Sequence, residues 1–102
     1  MYENGKIYMG LAGGKRVELA LNMCNRHGLI AGASGTGKTV TMKVMAESFS
    51  DAGVPVFLCD VKGDVAGICA PGQSSEGMEK RIDKFGLRDR FVYQGYPTTF
   101  WD

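Results

Sequence analysis

The stretch Gly32-Ala33-Ser34-Gly35-Thr36-Gly37-Lys38-Thr39 matches the pattern G-x-x-x-x-G-K-[ST] and decides the fold of this chain. Glycine permits the positive φ angles and the close backbone approach with which such a loop turns its N–H groups towards a polyphosphate. The pattern predicts that Lys38 contacts the β- and γ-phosphates and that the Thr39 hydroxyl is a ligand of Mg²⁺. The positive end of the following helix dipole favours the same anion. We therefore expect nucleotide contacts from Gly32, Ala33, Ser34, Gly35, Thr36, Gly37, Lys38, Thr39 and Val40.

The segments around this loop have the order that a phosphate-binding loop requires, which is strand, loop and helix. The apolar run Leu29-Ile30-Ala31 predicts a buried parallel strand directly before the loop. Apolar residues at helical spacing predict a helix from Lys38 to Ala52, which Gly53 ends. Pro55-Val56-Phe57-Leu58-Cys59 predicts a second buried strand. A strand–helix–strand unit with a right-handed crossover indicates an α/β fold of the P-loop NTPase class with a partial parallel sheet.

Two segments of alternating polarity precede the loop. Apolar and polar residues alternate from Lys6 to Leu11 and again from Arg16 to Leu21, and Ala12-Gly13-Gly14-Lys15 lies between them as a turn signal. This arrangement predicts a β-hairpin. We assign residues 1–24 to an N-terminal β-hairpin extension, and residues 25–102 to the N-terminal part of a P-loop NTPase domain.

The C-terminal part of the chain is expected to contain both helical and extended segments. A short helical turn is predicted near Val65 to Cys69, and a helix from Glu76 to Phe85. Arg90-Phe91-Val92-Tyr93 predicts a third strand, and Pro97 to Trp101 the start of a fourth extended segment. Because the chain stops in the apolar run Phe100-Trp101-Asp102, we expect it to be the N-terminal piece of a longer protein.

Composition limits the chain to one small domain. It has 102 residues and a formal net charge of +1, so no general field attracts nucleic acid or an anionic membrane. No stretch has the length of a transmembrane helix or the pattern of a signal peptide, so we expect a cytoplasmic protein without a membrane partner. Cys24, Cys59 and Cys69 are odd in number and lack a C-x-x-C spacing. This favours reduced, mostly buried thiols over a disulfide or zinc framework.

Carboxylates follow the second predicted strand. Asp60 ends an apolar run, which is the general form of a Walker B strand whose carboxylate holds Mg²⁺ through water. The alternative for Asp60 is a site-lining or turn role, because in one class of P-loop proteins an extra strand intervenes and the metal residue comes later. For Asp64 we favour a helix N-cap over a ligand role. His27 lies at the opposite end of the first strand from the phosphates and is expected to be structural.

The segments Asn25 to Thr39, Val54 to Gly67 and Gly95 to Asp102 carry a family resemblance that spans nearly the whole chain. They resemble HerA-like bacterial ATPases of the HerA–FtsK superfamily, and within it the YjgR-like branch of helicases. Asp60-Val61-Lys62-Gly63-Asp64 is far more specific to this resemblance than the phosphate-binding loop alone.

The resemblance implies a RecA-like ATPase that binds ATP and Mg²⁺, assembles into a homo-oligomeric ring, often a hexamer, and moves DNA. It implies Walker A roles for Lys38 and Thr39, and the choice of ATP over GTP rests on it alone. In this family the Walker B aspartate, the catalytic glutamate and the arginine finger lie beyond the position of Asp102. The resemblance therefore implies weak nucleotide binding and negligible turnover by this chain alone.

Two other functions stay open. A small P-loop kinase or nucleotide-binding switch would use Asp60 as its Walker B residue, with Arg81, Arg88 or Arg90 in an acceptor-binding lid. A non-enzymatic subunit-interaction module would use the hairpin and an open sheet edge. Turnover of a phosphate acceptor without DNA would favour the first, and assembly that is indifferent to ATP would favour the second.

Overall fold

The computed structural model describes residues 1–59, 66–88 and 91–100. They form a small α/β structure with a three-stranded antiparallel sheet. Its strands and helices are β1 (Tyr2–Glu3), β2 (Lys6–Ala12), β3 (Lys15–Ala20), α1 (Lys38–Asp51) and α2 (Glu76–Lys84), with short 3₁₀ helices at Leu21–Met23 and Ala66–Cys69. The chain divides into two compact units, Met1–Val65 and Ala66–Asp102. In the part of the chain that the structure describes, neither helix is long and apolar enough to cross a membrane.

The hairpin predicted from alternating polarity is confirmed. Strands β2 and β3 pair antiparallel, with Ile7 opposite Leu19, and an irregularity between Tyr8 and Gly10 marks a β-bulge. Strand β1 adds an edge strand that the alternation did not predict. Its turn is formed by Asn4 and Gly5, whose φ angles are 50° and 75°. Asn-Gly is the preferred pair for a two-residue turn with positive φ angles, so this signal was present in the sequence.

Helix α1 packs against β2 and β1, and this contact forms the core of the first unit. Ile7 is 0% exposed, and Tyr8 and Ala46 are also buried. Ser48 is 1% exposed; its hydroxyl accepts a hydrogen bond from the Met1 α-ammonium at 2.6 Å and donates one to the Val44 carbonyl at 2.7 Å. The hairpin is therefore the surface on which α1 rests.

Two ionisable groups at this contact are shifted by their surroundings. Burial lowers the pKa of the Met1 α-amino group, and the carboxylates of Asp51, Glu47 and Glu3 oppose that shift. Burial also raises the pKa of Glu47, and the nearby Asp51 carboxylate adds to that increase. Both shifts follow from removing a charged group from water, which disfavours its charged form.

The second unit confirms the predicted helix and helical turn. The Ser75 hydroxyl caps α2 by accepting a hydrogen bond from the Met78 N–H at 3.2 Å. Ile82 is the buried residue of this helix. After the helix, Arg88 forms ion pairs with Glu79 at 3.0 Å and Asp83 at 2.8 Å, and hydrogen bonds to both carboxylates raise the pKa of Arg88.

The strands predicted at Leu29–Ala31 and Pro55–Cys59 are not formed, so the prediction is wrong for these residues. A strand is defined by hydrogen bonds to a neighbour, and no described segment pairs with either of them. Leu29 is 90% exposed and Phe57 is 82% exposed, which is far from the burial that their apolar composition predicted. Composition alone does not form a strand when no partner strand lies beside it.

The third and fourth extended segments do not form strands at the residues that the structure describes. From 91 to 93 the chain instead places the rings of Phe91 and Tyr93 edge to face at 4.9 Å between centroids. Three residues further along the chain, the Tyr96 N–H donates to the Ile68 carbonyl at 3.0 Å. This bond joins the C-terminal segment to the 3₁₀ helix Ala66–Cys69. Arg90 and Trp101, at the ends of the two predicted segments, lie outside the described residues.

The cysteines are free, as predicted, but the prediction that they are mostly buried is wrong. Cys59 and Cys69 are exposed, and Cys24 is half-buried. Cys59 ends the predicted strand Pro55–Cys59, which pairs with no segment among the described residues, and this explains its exposure. The Cys24 thiol donates to the Ala20 carbonyl at 3.2 Å.

Candidate functional site

The glycine-rich loop has the backbone geometry that its sequence predicts. Gly35 has a φ angle of 77°, and Gly37, the N-cap residue of α1, has φ 98° and ψ 17°. Both conformations are left-handed and strain any residue that has a Cβ atom. Helix α1 begins at Lys38, as predicted. The two left-handed glycines therefore lie directly before the helix.

The Lys38 ammonium lies against the inside of this loop. Its Nζ donates to the Gly32 carbonyl at 2.6 Å and to the Ala33 carbonyl at 2.9 Å. The side chain is half-buried, while the two carbonyls belong to exposed residues. The ammonium is thus held inside the loop by two neutral acceptors, and an anion in their place would add the attraction between opposite charges.

The Thr36 side chain closes the loop. Its hydroxyl donates to the Ala33 carbonyl at 2.6 Å, and its backbone N–H points to the same oxygen at 3.3 Å. Sequence reasoning gave Thr36 a backbone contact with nucleotide and missed this side-chain bond. The signal that could have found it is the known tendency of threonine hydroxyls to bond nearby backbone groups in turns.

Gly32 is constrained by side chains rather than by its own φ angle. A Cβ atom at this position would lie 2.5 Å from the Thr36 hydroxyl oxygen and 3.5 Å from the Cγ of Lys38. The first of these distances is too short for any real contact, so the hydroxyl would have to move. A side chain at position 32 and the Thr36 hydroxyl would therefore compete for the same space.

The start of α1 is open to an anion. The N-cap residue Gly37 provides no side-chain cap, and no acidic residue lies in the first turn of the helix. The N–H of Thr41 donates to the Gly37 carbonyl at 2.9 Å, so the regular helical bonds begin there. The amides before that point have no intrahelical acceptor, and together with the helix dipole they favour negative charge.

The predicted contact residues are accessible to different degrees. Ala33, Ser34, Gly35 and Thr36 are exposed, as are Gly32 and Val40, whereas Gly37, Lys38 and Thr39 are half-buried. The donors at this site are the backbone N–H groups of the loop and of the helix start, together with the Lys38 ammonium. Such a set fits a polyphosphate. Thr39 has the position of the residue that would offer a hydroxyl to Mg²⁺.

The candidate residues outside the loop are the two aspartates after the second predicted strand and His27. Asp60 and Asp64 lie outside the described residues, so their predicted metal and capping roles stay predictions. Within residues 1–59, 66–88 and 91–100, no group of three or more His, Cys, Asp or Glu side chains could hold a metal ion. His27 is exposed before the loop.

Comparisons with known proteins agree on one family. The family described as "Helicase HerA-like C-terminal" matches residues 8–102, a range that contains the loop and both helices. Over 64 residues the chain is 36% identical to the "DNA double-strand break repair helicase HerA" of Saccharolobus solfataricus. That match covers 61% of this chain and 13% of the helicase, so the chain corresponds to a small share of its relative's length. No solved structure matches the chain.

Proposed function

Since the chain belongs to the Helicase HerA-like C-terminal family, we propose that its loop from Gly32 to Thr39 binds the phosphates of ATP together with Mg²⁺. The bound nucleotide would serve an ATP-driven DNA translocase or helicase that works as a homo-oligomeric ring. The same proposal includes the RecA-like P-loop fold. In support, the loop leads directly into helix α1. Leu29, before this helix in the sequence, and Phe57, after it, are exposed apolar residues that a larger sheet would bury.

The position of the Lys38 ammonium carries this proposal. In the described structure it has two neutral carbonyl acceptors, at 2.6 Å and 2.9 Å. A phosphate oxygen carries negative charge and the carbonyls do not, so the ion-pair attraction favours transfer of the same ammonium to the phosphate. The absence of acidic residues from the first turn of α1 means that no carboxylate of that turn opposes the exchange.

Each residue of the loop has a separate task in this proposal. Gly35 and Gly37 supply the left-handed turns that aim backbone N–H groups at the phosphates, and Lys38 neutralises the charge of the β- and γ-phosphates. Thr39 would hold Mg²⁺, which when bound neutralises further phosphate charge. These residues bind and orient the nucleotide. Activation of the attacking water needs other groups, so we expect negligible hydrolysis by the loop alone.

The test is a titration of the full chain with a fluorescent ATP analogue and Mg²⁺. We compare wild type with Lys38→Ala and with the control Lys43→Ala, which removes a lysine from the same helix but outside the loop. Because Lys38 provides two charge-assisted bonds, its loss should weaken binding about 100-fold, whereas Lys43→Ala should leave it within about twofold. Saturable binding that survives in Lys38→Ala, or none by folded wild type, would refute the proposal.

Two additions separate the finer parts of the proposal. Competition by unlabelled ATP, GTP and tripolyphosphate shows how much of the affinity comes from phosphates and how much from the base. Hydrolysis is then measured with and without double-stranded DNA. Turnover by the chain alone that disappears in Lys38→Ala would contradict the view that the water-activating groups lie elsewhere.

A further inference from the structure

The Ala33 carbonyl oxygen receives more donors than it can bind well. The Thr36 hydroxyl lies at 2.6 Å, the Lys38 ammonium at 2.9 Å and the Thr36 N–H at 3.3 Å. A carbonyl oxygen has two lone pairs, so three donors compete for two places. The hydroxyl has the shortest of these distances. Lys38 can therefore leave this oxygen without leaving it unsatisfied.

The second acceptor of Lys38 is also easily released. Gly32 is exposed, so water can take the place of the ammonium on its carbonyl. Departure of Lys38 towards a ligand then has little cost on the protein side, provided that the loop keeps its shape. The Thr36 hydroxyl contributes to that shape, because its bond to the Ala33 carbonyl spans the turn independently of Lys38 and is shorter than the bond from the Thr36 N–H.

We propose that Thr36 is a positioning residue of the phosphate-binding loop: its hydroxyl holds the Ala33 carbonyl so that the Lys38 ammonium is free to transfer to a phosphate. This inference rests on the proposed function of the loop. Thr36 occupies position five of G-x-x-x-x-G-K-[ST], where the pattern accepts any residue. The inference therefore gives a specific role to a side chain that the pattern does not specify.

Gly32 provides an independent observation on the same hydroxyl. A Cβ atom there would meet the Thr36 oxygen at 2.5 Å, but the Cβ of Thr36 only at 3.6 Å, which is an ordinary contact. An alanine at position 32 would therefore displace the Thr36 hydroxyl from its bond to the Ala33 carbonyl. The two positions should be coupled, so that removing the hydroxyl relieves the requirement for glycine.

The first experiment measures binding of Mg²⁺ with the fluorescent ATP analogue, and with inorganic tripolyphosphate, to the full chain. Thr36→Val should lose about three- to tenfold in affinity, the effect of one hydrogen bond, and Thr36→Ser should restore it. The loss should be equal for both ligands, because the loop contacts phosphates and not the base. Thr41→Val is the matched control: it removes a hydroxyl that bonds to the Gly37 carbonyl at 3.0 Å within α1, and should change affinity less than twofold.

The second experiment is a double-mutant cycle with Gly32→Ala and Thr36→Ala. Gly32→Ala alone should weaken tripolyphosphate binding at least about tenfold, and in the Thr36→Ala background it should add less than about twofold. Urea midpoints should be unchanged, since both residues are exposed. Equal effects of Gly32→Ala in both backgrounds, or Thr36→Val binding like wild type, would overturn the inference alone. Absence of binding by wild type would overturn the proposed function together with it.

Discussion

Replacing Ile7 with alanine should remove the largest share of stability that any single side chain gives to the first unit. Ile7 is 0% exposed and lies on β2, the strand against which α1 packs. Truncating a fully buried isoleucine costs the lost transfer energy of its methyl and methylene groups and leaves a cavity, about 3 kcal/mol in all. Ile7→Val removes a single methylene group and should cost about 1 kcal/mol.

Leu19 provides the matched control, because it lies directly opposite Ile7 in the β2–β3 ladder. It is 38% exposed, so Leu19→Ala forms a smaller cavity and should cost about 1 kcal/mol. Urea unfolding followed by far-UV circular dichroism gives the free energy of unfolding and its m-value for each variant. If Ile7→Ala lost less than 1 kcal/mol, or no more than Leu19→Ala, the hairpin would not be the surface that supports α1.

Two further predictions concern Glu47 and the thiols. Because burial beside Asp51 raises the pKa of Glu47 above 4.5, the folded state holds this proton more tightly, and stability falls as pH rises from 4.5 through the raised pKa. Glu47→Gln should therefore be more stable than wild type at pH 7 by about a few tenths of a kcal/mol, because solvent screens this half-buried group, and equal to it at pH 3.5. Urea midpoints at the two pH values measure the difference. A variant that is less stable than wild type at pH 7 would contradict burial as the cause of the raised pKa. Cys59 and Cys69 should react quickly with a thiol reagent and half-buried Cys24 more slowly, and a single rate for all three would refute the described exposure.

The elements that sequence predicted correctly are those whose signals are local. The hairpin from Lys6 to Ala20 follows from alternation and a Gly-Gly turn, and α1 follows from the loop that precedes it. Leu29–Ala31 and Pro55–Cys59 are different, because a parallel strand needs hydrogen bonds from strands distant in sequence. Their apolar composition predicts burial, but it does not identify the strands that would pair with them.

The candidate site shows the same division. For Lys38 the pattern predicts a contact with phosphates, which stays a prediction, and the bonds to the Gly32 and Ala33 carbonyls were not predicted. The positive φ angles of the loop could be predicted, since its glycines favour them. The role of the Thr36 hydroxyl could not, because the pattern allows any residue there and only the distance to Ala33 reveals the bond. Glycine at position 32 was expected for close backbone approach, whereas in the structure the atom that an added Cβ would meet first is the Thr36 hydroxyl oxygen.

The uncapped start of α1 means that heat resistance should depend on what the loop holds. A ligand that binds only the folded loop stabilises the whole cooperative unit, by about 2.7 kcal/mol at a concentration 100 times its dissociation constant. For a domain of this size that corresponds to a rise of about 13 °C in melting temperature. Melting curves recorded with a library of nucleotides and polyphosphates would thus rank these ligands by the rise in melting temperature, without any label. In Lys38→Ala the differences between ligands should become smaller.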